Sequence, residues 1–186
     1  MIGNFPVVLD TCVLVPMALA DLLLRLAEEP RLYLPRWSPD ILAELTRTLQ
    51  HRLNLSREQI SHRVSEMQRY FPEALVDGYQ PLIASMTNHP KDRHVVAAAI
   101  RTQAQLIVTL NRKDFPAESL SPWGIEAVGP ATFLISLFDL DPRIVWQRLE
   151  QQAIDTQRSP AALLEALRRD VPSFVDYVTR EVTGPA

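Results

Sequence analysis

The chain has 186 residues, 47% of them hydrophobic and 22% charged, an ordinary globular composition with length for one domain and an appendage. A net charge of −3 offers no global attraction to nucleic acid, so a polyanionic partner must be held by a local basic patch or by metal ions. A single cysteine, Cys12, excludes an intrachain disulfide. With no basic-then-apolar leader and no apolar run long enough to span a bilayer, the expectation is a soluble, cytoplasmic protein with no membrane partner.

In chain order, short apolar runs at Val7–Leu9, Ala74–Val76, Leu106–Thr109 and Ile125–Val128 predict strands. They are continuous rather than alternating, as expected for strands buried on both faces. Helical patterns separate them. The first runs from Leu19 to Glu28 and is stopped by Pro30. The second, Pro39–Leu53, has Ser38 as N-cap and proline as its first residue. The third, Arg57–Phe71, carries the stripe Ile60, Val64, Met67, Phe71. A short apolar helix follows at Asp92–Gln103, and another starts at Pro130. Strands alternating with helices predict an α/β fold with a mainly parallel sheet. After Leu140 two helical stretches, opened at Asp141-Pro142 and Ser159-Pro160, have no strands between them. The expected division is a core domain of residues 1–140 and a helical extension of residues 141–186 packed on it.

Four acids sit unusually. Asp10 ends the first apolar run and has apolar residues on both sides. Glu44 lies at the edge of the buried face of its helix. Asp92 opens a helix after the loop Asn88-His89-Pro90-Lys91. Asp114 follows Leu106–Thr109, three residues after Asn111. Each has a plain alternative: a helix cap for Asp10 or Asp92, a solvated helix face for Glu44, a turn for Asp114. Together they carry more. Parallel sheets bind ligands at the carboxyl ends of their strands, which is where Asp10, Asn111 and Asp114 fall. Clustered carboxylates stay ionised only with a compensating cation, and hard oxygen ligands suit Mg2+ or Mn2+. Such ions serve phosphodiester chemistry.

Other residues add less. Arg47, Arg52, Lys91, Arg93, Arg112 and Lys113 lie near the acids in sequence and can steer a phosphate backbone or simply be solvated. His51, His89 and His94 lack a tight ligand spacing with cysteine, which argues against zinc. Cys12 reads as a small hydrophobe without an activating partner. Trp37, Trp123 and Trp146 can stack bases, but packing is their commoner role.

The segments VVLDTCVL, WSPDILAEL, PKDRHVVAAAI and IVTLNRKDFP resemble, in kind, order and spacing, those of PIN-domain nucleases, especially the VapC-type toxins of bacterial toxin–antitoxin systems. The resemblance covers Val7 to Pro116 and continues into the helix from Pro130. The helical tail is similar to an extension found in one subgroup. It implies a three-layer α/β/α sandwich, and a Mg2+- or Mn2+-dependent endoribonuclease that hydrolyses RNA phosphodiester bonds. Asp10, Glu44 and Asp92 match the family's three acidic positions, and Asp114 looks like the fourth. Asp10, Asp92 and Asp114 would hold metal, and Glu44 would hold metal or orient water. Thr11 resembles the small hydroxyl residue beside the first acid. One departure is Asn111, which stands where many members carry aspartate. The resemblance also implies a cognate antitoxin lying across the active-site groove, and dimerisation of the domain. Two competing readings are a catalytically weak PIN-like module that binds RNA or protein, and a phosphatase of the haloacid-dehalogenase type. The phosphatase wants a second aspartate two residues after the first, and this chain has Cys12 there.

Overall fold

A computed structural model describes residues 3–183. The strands are β1 (Pro6–Leu9), β2 (Leu34–Arg36), β3 (Leu106–Val108) and β4 (Glu126–Val128). The α-helices are α1 (Thr11–Leu14), α2 (Met17–Ala27), α3 (Pro39–Leu53), α4 (Arg57–Tyr70), α5 (Arg93–Arg101), α6 (Ala117–Leu120), α7 (Pro130–Leu140), α8 (Pro142–Asp155), α9 (Pro160–Arg168) and α10 (Pro172–Thr183). No helix among the described residues is long and apolar enough to cross a membrane. The described chain divides into two compact units.

The first unit holds residues 5–15 and 34–128. Its sheet is four-stranded and wholly parallel, in the order β2-β1-β3-β4, so the fold is α/β as expected. Val7, Val8, Leu9, Ile107 and Val108 are fully buried, which is why their runs do not alternate. Helix α5 packs on β1 and β3 through Val95, Val96 and three successive alanines. Connections leave β1 and β3 in opposite directions across the sheet. The crevice at the carboxyl ends of these two strands is therefore the topological switch point.

One strand expectation is corrected, and one strand was not predicted. The apolar run Ala74–Val76 is not a strand of the sheet. Residues Pro72–Ala74 form a 3-10 turn, and the segment makes one bridge, Leu75 to Trp37. The Trp37 N–H donates to Ala74 O at 3.0 Å and the Val76 N–H to Trp37 O at 2.9 Å. The fourth strand is β2 instead, whose run Pro35 interrupts. Proline lacks an N–H and is tolerated at a sheet edge, and β2 is an edge strand.

Helix α3 has the limits its caps predict. Ser38 Oγ accepts from the Ile41 N–H at 3.2 Å, and Asn54 closes the helix in the left-handed conformation at φ 51°. Helix α4 begins with a reciprocal capping box between Ser56 and Gln59. Of the α4 stripe, Ile60, Met67 and Phe71 are buried, while Val64 joins Ile60, Thr46 and Gln50 in lining a surface groove.

The second unit holds residues 16–33 and 129–183 with residues 3–4. It is helical: α2 packs against α8, and α7 against α8 and α10. Tyr33 meets Phe133 edge-on at 5.1 Å and donates its hydroxyl to Leu23 O at 2.8 Å. Asp141 and Ser159 cap α8 and α9 through the N–H groups of Ile144 and Ala162. The last expected helical stretch is two helices, because Pro172 cannot continue α9 and opens α10 instead.

Candidate functional site

Asp10 follows β1 and is 5% exposed. Its own N–H donates to Val108 O at 3.1 Å, tying it to the end of β3. It stands at the N-cap position of α1, yet its side chain makes no capping bond. The carboxylate turns to β3 instead. Oδ2 accepts the Thr109 hydroxyl at 2.7 Å and the Cys12 thiol at 3.1 Å. The Leu110 N–H donates to Cys12 Sγ at 3.1 Å, and the Asn111 N–H to Thr109 Oγ1 at 3.0 Å. One carboxylate oxygen is thus clamped from α1 and from the residue after β3, and Oδ1 has no hydrogen bond among the described residues.

The other acids come from three further segments of the same unit. Glu44, on α3, is 42% exposed at its side chain and lies 4.0 Å from His94 Nε2. Its Oε2 accepts the Thr11 hydroxyl at 3.3 Å, a proton shared with Ile41 O at 3.3 Å. Asp92 stands at the N-cap position of α5, again without a side-chain capping bond. Asp114 ends a 3-10 turn, Arg112–Asp114, and accepts a short bond from Asn111 Nδ2. Asn111 therefore orients the fourth acid instead of adding a charge.

The electrostatics of Asp92 link all four. Burial raises its carboxyl above the usual aspartate range, and the charges of Asp10, Asp114 and Glu44 raise it further in that order. Four carboxylates share one field, and no Arg or Lys among the described residues forms an ion pair with any of them. This donor set fits a divalent cation. His89 Nδ1 also lies 3.4 Å from Asp92 Oδ2. Ligand atoms of His89, Asp92 and Asp114 all fall within 4.8 Å of one another. Sequence reasoning set His89 aside for lack of a cysteine partner. Its signal was the His-x-x-Asp spacing at the start of a turn. Thr109 and the hydrogen-bonding role of Cys12 were missed as well.

Burial, and then the Asp10 charge, push the Cys12 thiol up to about 12. It therefore stays a protonated donor at neutral pH. Labelling of Cys12 by a thiol reagent at pH 8 is expected to be far slower in the folded protein than in denaturant. Equal rates in the two states would remove the thiol from this network.

Arg47, Lys91, Arg112 and Lys113 are exposed, and none forms a salt bridge or side-chain hydrogen bond among the described residues. Lys91, Arg112 and Lys113 directly precede Asp92 and Asp114. Arg93 differs, since its Nε donates to Asn88 O at 3.3 Å. Trp37 is fully buried and cannot stack a base. Trp123 is exposed, and Trp146 Nε1 donates to Glu150.

A family model described as PIN domain matches residues 6–113. The match takes in Asp10, Glu44, Asp92 and Asn111 and stops one residue before Asp114. A protein of Mycobacterium tuberculosis (strain ATCC 25618 / H37Rv), named "Putative ribonuclease VapC50", is 44% identical over 110 residues. The aligned part is 58% of this chain and 65% of that protein, so the chain spans less than two thirds of its relative's length. No solved structure matches the chain. With a match over more than half its length, on the segments that carry three of the four converging acids, the chain belongs to the PIN-domain family.

Proposed function

We propose that the protein is a divalent-metal-dependent endoribonuclease and the toxin of a VapC-type toxin–antitoxin pair. The observation that carries this is the convergence of Asp10, Glu44, Asp92 and Asp114 at the switch point, uncompensated by any Arg or Lys pair among the described residues. The similarity to a protein named as a VapC ribonuclease supports the same reading.

Asp10, Asp92 and Asp114 are the residues to hold the cation. When bound, Mg2+ or Mn2+ supplies charge neutralisation at the phosphate and a more acidic water. The chain's own residues do the rest. Thr109 and Cys12 hold Asp10 Oδ2, which leaves Oδ1 for ligation. Asn111 holds Asp114. Thr11 positions Glu44, whose half-exposed carboxylate takes the proton as water attacks phosphorus and the 3′-oxygen leaves. Arg47, Lys91, Arg112 and Lys113 attract the RNA backbone around the acids without reading sequence. Arg93 is a weaker contributor because it is engaged with Asn88. A cognate antitoxin would have to satisfy the same acidic crevice.

Purified protein is expected to cut total RNA into discrete fragments with Mg2+ or Mn2+, to stop in EDTA, and to resume when the ion is restored. Cleavage that persists in EDTA would refute metal dependence. Intact RNA under all conditions, with folded protein, would shift the reading to an RNA- or protein-binding module.

A further inference from the structure

We propose that His89 is a ligand of the cation site, alongside Asp92 and Asp114, and biases it toward a first-row transition ion over Mg2+. The inference rests on the metal-dependent reading above and specifies which ion the site favours.

Three observations carry it. The ligand atoms of His89, Asp92 and Asp114 lie within 4.8 Å of one another, a span that one small ion can bridge. An ordinary i,i+3 ion pair would involve His89 and Asp92 alone, but the third member arrives from a segment 22 residues after Asp92. The backbone also fixes the three together. The His89 N–H donates to Asp114 O at 3.2 Å, the Asp92 N–H donates to His89 O at 2.9 Å, and Asn88 Nδ2 reaches Asp114 O at 3.5 Å. His89 is thus held between the two acids by main-chain bonds, while its ring stays half-exposed beside Asp92.

The chemistry of the ring sets the preference. Mg2+ takes oxygen ligands, keeps several waters and gains little from an imidazole. First-row transition ions accept nitrogen readily, and their affinity for such sites rises along the series from Mn2+. A site of three carboxylates and one imidazole therefore separates Mn2+ from Mg2+ in a way that the three carboxylates alone do not.

The test is binding, not turnover. Mn2+ is titrated into the full chain and free ion is read by electron paramagnetic resonance, with Mg2+ affinity read by displacement. Wild type, His89→Ala, His89→Gln and Asp92→Asn are compared, each checked for fold by circular dichroism. His89→Gln serves if the alanine variant does not fold. The expected result is that wild-type Mn2+ shows a nitrogen coupling in pulsed spectra. Loss of His89 removes the coupling and weakens Mn2+ binding about tenfold or more, while Mg2+ affinity hardly moves. Unchanged Mn2+ affinity, no nitrogen coupling in wild type, or a coupling that survives loss of His89 would overturn the role of His89. The metal-dependent reading would still stand if Asp92→Asn lost the ion. Wild type that binds neither ion would overturn both.

Discussion

Asp10→Asn is expected to lower RNA cleavage by on the order of 100-fold or more while keeping the native fold. Asparagine has the shape of aspartate, and its amide oxygen can still accept from Thr109 and Cys12. With the oxygen so placed, its NH2 group occupies the position of Oδ1, where it offers protons to a cation instead of lone pairs. One negative charge of four is lost as well. Asp92→Asn should abolish cleavage to a similar degree, with a distinct signature in stability. The carboxyl of Asp92 is raised in the folded protein, so the native state holds this proton more tightly than the unfolded chain. Asp92 therefore costs metal-free protein stability as pH rises from the usual aspartate range through the raised value. At neutral pH, metal-free Asp92→Asn should melt above wild type, and added Mg2+ or Mn2+ should raise the melting point of wild type only. Cleavage at wild-type rate by Asp10→Asn, in protein free of contaminating nuclease, would remove the acids from the mechanism. A lower melting point for metal-free Asp92→Asn would show that the four charges do not repel in solution.

Trp37→Ala should cost about 3–5 kcal/mol of folding stability, read from the shift of a urea transition. The indole is fully buried and meets Phe71 edge-on at 6.0 Å. Its backbone joins the end of β2 to residues Ala74 and Val76 and leads directly into Ser38, the cap of the helix that carries Glu44. The loss should therefore reach activity through the placement of α3 as well as through the folded fraction. Trp37→Phe should recover most of the stability. Trp37 Nε1 is buried without a partner among the described residues, so no hydrogen bond is lost with it, and a ring still faces Phe71. If Trp37→Phe were as damaging as alanine, the indole N–H would have to be satisfied by an ordered water.

Local signals were legible where the physics is local. Helix α3 is delimited by a Ser-Pro start and an Asn end, because capping involves only the first and last turns. The buried strands β1 and β3 show as continuous apolar runs. The four acids are legible as a set through their order after strands and at helix starts. Where the chain's neighbours decide, local signals fail. Ala74–Val76 is as apolar as a strand but, among the described residues, pairs only with Trp37. Leu34–Arg36 contains a proline and is a strand because an edge position spares it one donor.

The site divides in the same way. Sequence alone determined the candidates: carboxylates in an order that resembles PIN nucleases, at the ends of buried runs. Only the tertiary structure decided that Asp10 and Asp92 do not cap their helices, that Thr109 and Cys12 clamp one oxygen of Asp10, and that His89 comes within reach of Asp114. These are contacts across as many as 99 residues, set by the register of β1 on β3. A side chain's type is written in the chain, but its partner depends on which strands lie side by side, a choice made by burial of the whole core.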